Sequence, residues 1–111
     1  MGCASEEEVS RLVSPDRRVD AVWVRDSGGG ATVGISYLLY IVPTGRAPER
    51  GMQQLVADHI DNVTLRWREP RRLEVAYDQA RIFNFFSFWQ HRELDNFNYV
   101  VEIRLIPNRP W

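Results

Sequence analysis

Two runs of alternating apolar and polar residues flank Pro70 between Asn62 and Tyr77, and this stretch most constrains the fold. Val63, Leu65 and Trp67 share one side of the first run; Leu73, Val75 and Tyr77 share one side of the second. A one-residue slip in pairing would turn one apolar set to water. Both sets share a face when Trp67 lies opposite Leu73, Leu65 opposite Val75 and Val63 opposite Tyr77. That register predicts a hairpin with Glu69-Pro70-Arg71 as a three-residue loop, where proline costs no ladder donor. It also sets Arg66 against Glu74 on the wet face, a favourable cross-strand pair.

A chain of 111 residues, 44% hydrophobic and 12% aromatic, has the size and composition of one domain with a modest core. Fourteen basic residues stand against 15 acidic, a net charge of −1, which argues against nucleic acid as a partner. All the basic residues are arginine. Schiff-base, pyridoxal-anchoring and phosphate-loop lysines are thereby excluded. Cys3 is the sole cysteine, so neither an intrachain disulfide nor a cysteine zinc site forms. No cofactor is called for, and no small-molecule ligand is identifiable. No apolar run has the length of a membrane-spanning helix.

Residues 1–13 read as a flexible acidic lead, and 14–111 as a single β domain. Ser14-Pro15-Asp16 is a turn signal followed by a strand over Val19 to Asp26, apolar in part on both faces. Val33 to Val42 reads as a central strand covered on both sides. Gln53 to His59 reads as a strand, with a short helix as the alternative. In Gln79 to Gln90 the alternation of Phe83 and Phe85 slips out of phase at Phe86 and Phe88, which predicts a bulge or kink near Phe85–Phe86. Phe97 to Ile106 reads as a strand with Phe97, Tyr99, Val101, Ile103 and Leu105 inward. The expected fold is all-β: an antiparallel meander, blade-like sheet or open sandwich of five to seven strands, with at most one short helix.

Asp58-His59-Ile60-Asp61 and His91-Arg92-Glu93-Leu94-Asp95 hold both histidines beside carboxylates. Brought together, His59, Asp61, His91 and Glu93 would make a zinc site with a position open for water, and hence a small hydrolase. Solvated turns at strand ends are the plainer account. Arg81 to Phe88 partly resembles the aromatic strand of RNA-recognition motifs, but Ile82 and Asn84 replace its small residues, and core packing better explains the phenylalanines. Arg66, Arg68, Arg71 and Arg72 form a basic patch at the hairpin tip, a solvated edge or a docking surface for an acidic partner.

Gly2-Cys3-Ala4 fits the end of a bacterial lipobox, with Cys3 as the lipidated residue. Ser14-Pro15-Asp16, Asp20-Ala21-Val22, Gly29-Gly30-Ala31-Thr32, Tyr37 to Pro43 and Ala80 to Trp89 together resemble a pattern in short bacterial lipoproteins of uncharacterised function, many proteobacterial. The resemblance implies a non-enzymatic envelope domain, lipid-anchored at Cys3 with the outer membrane favoured, that binds or inhibits another envelope protein. It carries over no catalytic residues. The alternatives are the small hydrolase or metal enzyme and, if Met1 is the native start, a cytosolic interaction module.

Overall fold

A computed structural model describes residues 6–27 and 35–108. Among them are nine strands and no helix: β1 (Glu6–Val13), β2 (Val19–Asp26), β3 (Ser36–Pro43), β4 (Leu55–Asp61), β5 (Thr64–Glu69), β6 (Arg72–Tyr77), β7 (Gln79–Phe85), β8 (Phe88–Trp89) and β9 (Val101–Pro107). They form two sheets, ordered β1-β2-β3-β4-β7 and β5-β6-β9-β8. The protein is all-β, as expected, and built as an open sandwich.

The core lies between the sheets. Val19, Ala21, Trp23, Leu39, Ile41 and Leu55 from the first meet Leu73, Val75, Val101, Ile103 and Trp89 from the second. Each of the fully buried valine, leucine and isoleucine side chains contributes about 1.5–3 kcal/mol relative to exposure. The other face of β2 and β3 is also buried, by Val22, Val24, Leu38, Tyr40 and Val42. This is why the two strands are apolar on both sides. Asp20 shares that second face and is 1% exposed. Its carboxylate accepts from Arg11 (2.8 Å), the Thr44 hydroxyl (2.9 Å) and the Gly45 amide (3.0 Å), which offsets the cost of burying a charge.

The hairpin register is the one its alternation dictates: Leu65 pairs Val75, Arg66 pairs Glu74 and Trp67 pairs Leu73. The loop is shorter than expected, because Glu69 still pairs Arg72 and the spare residue is taken up as a bulge at Arg68. Pro70 and Arg71 alone make the turn.

The lead is not flexible from Glu6 onward. Glu6–Val13 is an edge strand paired along its length with β2, with a bulge between Glu8 and Ser10. Its charges hid it: Glu6, Glu7 and Glu8 look like a solvated tail but suit an edge strand, where charge discourages further pairing. Residues 1–5, including Cys3, lie outside the described residues, as does Val33 at the start of the expected second strand.

The topology is not a simple meander. The chain leaves the first sheet after Asp61 through Asn62 (φ 53°), a residue type tolerated in the left-handed region. It forms the β5–β6 hairpin in the second sheet and returns at Gln79. The Asp78 amide donates to the Asp61 carbonyl (2.9 Å) and the Gln79 side chain to the Asp61 carboxylate (3.0 Å), holding the two crossings side by side. Because β7 and β8 run on in one direction while changing sheets, β9 comes back parallel to β6. The expected strand from Phe97 therefore begins only at Val101; residues 92–98 are turns.

Candidate binding groove

Sheet-changing at Phe86-Ser87 builds the site. Strand β7 carries a bulge, since Val56 pairs Asn84 while Ala57 pairs Ile82, leaving Phe83 as the extra residue. The phase slip in the sequence is therefore a bulge at Phe83 and a strand end at Phe85. Beyond it the Phe86 amide donates to the Gln54 carbonyl (2.8 Å), and the Ser87 carbonyl accepts from Ile103 (2.7 Å). The chain is thus stitched to both sheets in successive residues. In β8, Trp89 turns inward to 6% exposure, so strand alternation turns Phe88 outward to 60%.

Phe85 packs against the core, but the other phenylalanines do not. Phe83, Phe86, Phe88 and Phe97 are all exposed, against the expectation of burial and against an inward Phe97. Three of them converge. Phe86, Phe88 and Phe97, with exposed Met52 and with Gln53 and Gln54, surround a groove of about 370 Å³ floored by Trp89. Met52 also borders a second hollow of about 340 Å³, toward Glu49 and Arg92, and a smaller cavity of about 100 Å³ between Tyr40 and His91.

The rim is held by polar bonds. Gln54, itself buried, donates its side-chain amide to the carbonyls of Phe86 (2.9 Å) and Phe88 (3.1 Å). Gln90 donates likewise to the Phe97 carbonyl (2.9 Å). Asp95, Asn96 and Phe97 take φ of 52°, 52° and 72° in succession. Aspartate and asparagine tolerate the left-handed region, but phenylalanine there costs about 1–2 kcal/mol. Buried Leu94 pins the turn from within. From outside Arg18 holds Asp95 with two bonds (3.0 and 3.1 Å), and Arg46 grips Glu93 with both terminal guanidinium nitrogens. The Arg18 bonds set the Asp95 carboxyl below the usual range.

The histidine-carboxylate clusters do not come together. His59 is an exposed bulge residue of β4 (φ 51°), with Nδ1 3.0 Å from Asp58, and Asp61 holds the Gln79 side chain. His91 stacks on Trp89 at the other end of the sheet, and its Nδ1 accepts from the Glu93 amide (3.0 Å). Glu93 is taken by Arg46. Among the described residues no three histidine or carboxylate side chains are grouped to hold a metal. In the basic patch, Arg72 bonds Glu69 and Glu102, Arg68 lies 3.7 Å from Glu74, and Arg71 lies over the Tyr99 ring. Most of its charge is engaged within the fold.

Sequence reasoning missed the groove. Its signals were the phase slip of Phe83 to Phe88 and the Asp95-Asn96 pair before Phe97, two residue types that favour left-handed turns. No protein-family model, no curated protein and no solved structure matches this chain.

Proposed function

We propose that this protein is a non-enzymatic domain of the bacterial cell envelope, lipid-anchored at Cys3, that binds or inhibits another envelope protein through the aromatic groove. The observation that carries the binding role is the convergence of Met52, Phe86, Phe88 and Phe97 on one concave surface. Exposed apolar side chains scattered singly need no explanation, whereas a group of them rimming a groove marks an interaction site. Gly2-Cys3-Ala4 and the lipoprotein-like pattern support the anchor.

The fold fits that arrangement in a way a long tether would not. Cys3 is three Cα steps from Glu6, at most about 11 Å. Glu6 sits at the end of β1 beside Asp26 and Ser36, and the eight-residue strand runs about 27 Å to the other end. The groove loop lies at that other end, where Asp95 binds Arg18 next to Val19 and Pro43. An anchor at Cys3 holds the domain close to the bilayer with the groove turned outward, toward a protein rather than lipid.

The test is expression of the gene with its natural upstream sequence, followed by cell fractionation and intact mass. Membrane association with diacylglycerol and an amide-linked acyl chain on Cys3, lost in Cys3→Ser, is expected. In-cell crosslinks that vanish in Phe88→Ser are expected for the binding role. A soluble, unmodified wild type replaces the envelope reading with a cytosolic interaction module.

A further inference from the structure

We infer that the groove is covered by a second copy of this chain, in a two-fold dimer that lays the Phe88 ring of each copy into the groove of the other and sets Glu49 of each against Arg92 of the other. The inference rests on the groove being the binding surface, and it names what holds that surface until another partner competes for it.

A two-fold contact brings residue i of one copy to j of the other and j to i, so one patch must hold both halves of every contact. The shape of this patch does so. The outward Phe88 ring is a protrusion, and the groove of about 370 Å³ beside it is a recess. The area fits as well. Met52, Phe86, Phe88 and Phe97 are each roughly half exposed, which leaves on the order of 400 Å² of apolar surface open. A standard interface buries about 800 Å² per partner, a little over half of it apolar. The four side chains supply that apolar share, and the polar residues of the adjoining hollow supply a rim.

Charge selects a copy over other partners. Around that hollow Glu93 is already held by Arg46, whereas Glu49 and Arg92 have no ion-pair partner among the described residues. An acidic partner would oppose Glu49, and a basic one would oppose Arg92. A second copy carries one free charge of each sign beside the same groove, so the two-fold satisfies both residues twice. The chain's net charge of −1 sets little repulsion against such pairing. Strand β1, which leads back to Cys3, is the opposite edge of the first sheet from β7 and stays clear of the contact.

The test is sedimentation equilibrium of the full chain under reductant, from about 1 to 500 μM, the weak end of affinities for this area. A reversible dimer is expected, weakened at least about tenfold in Phe88→Ser. Glu49→Arg and Arg92→Glu should each weaken it about fivefold or more, because either change opposes like charges at both contacts. An equimolar mixture of those two variants should recover the wild-type affinity to within about twofold, since every contact then joins opposite charges again. A monomer throughout the range, a dimer indifferent to Phe88→Ser, or a mixture no tighter than its components overturns the inference. If Phe88-dependent crosslinks to a different protein persist in cells in any of those cases, the binding role stands and the dimer alone falls. If Phe88→Ser changes neither the dimer nor the crosslinks, both readings fall. Phe88-dependent binding to phosphatidylglycerol–phosphatidylethanolamine vesicles by a chain that stays monomeric also overturns the dimer and assigns the groove to lipid.

Discussion

The Tyr99 hydroxyl donates a hydrogen bond to the carboxylate of Asp16, joining the turn before β2 to the segment that leads into β9. Ser14 bonds the other Asp16 oxygen at 2.6 Å, and Arg18 and Arg71 flank the Tyr99 ring at 4.7 and 5.8 Å. Burial pushes the Tyr99 hydroxyl well above its usual range, and the adjacent Asp16 pushes it further. Asp16 resists its partial burial, and the bonds from Ser14 and Tyr99 hold its carboxyl below the usual range.

Tyr99→Phe should cost about 1 kcal/mol in urea unfolding, because the ring stays packed while one charge-assisted bond is lost and Asp16 itself is screened by water. The pH dependence has a definite sign. A carboxyl depressed in the folded state stabilises it above about pH 4, and that contribution disappears as pH falls through the folded value. Asp16→Asn should therefore flatten the acid side of the stability profile. A profile as steep as wild type below about pH 4 would show that Asp16 carries no linkage.

Trp67 is half-buried against the core and donates its indole N–H to the Leu12 carbonyl (3.0 Å), closing the edge between β1 and β5. Trp67→Ala should cost about 3 kcal/mol, near the low end for a large aromatic because part of the ring already meets water. Trp67→Phe should cost about 1 kcal/mol, chiefly the lost donor. Chemical denaturation of the two variants separates packing from hydrogen bonding.

Phe97→Gly should leave stability unchanged or raise it by up to about 1 kcal/mol, since glycine accepts φ of 72° without a Cβ clash. The same change should abolish groove binding. A thermal melt lowered by several degrees would show instead that the Phe97 ring holds the turn.

Zinc should leave the melting temperature of wild type and of His59→Ala alike, because His59 and His91 contact different partners at different ends of the sheet. A rise in wild type that His59→Ala removes would restore the metal reading.

Alternation and the short connection at Pro70 together determined the β5–β6 hairpin: Leu65, Trp67, Leu73 and Val75 share a face in any register whose paired numbers sum to an even value, and the short loop selects the one with Trp67 opposite Leu73. The all-β class and the Ser14-Pro15-Asp16 turn were legible for the same kind of local reason. Local pattern says which side chains share a face, not whether anything covers it. The acidic Glu6–Glu8 run became part of an eight-residue strand because β2 offered it a ladder, and a partner strand's backbone is invisible in those three residues. Phe86 and Phe88 stayed exposed because the chain changes sheets between them and the facing layer ends there. His59 and His91 stayed apart because β4 and the segment after β8 meet different ends of the sandwich. Coverage and proximity are properties of two segments at once, so only the tertiary structure decided them.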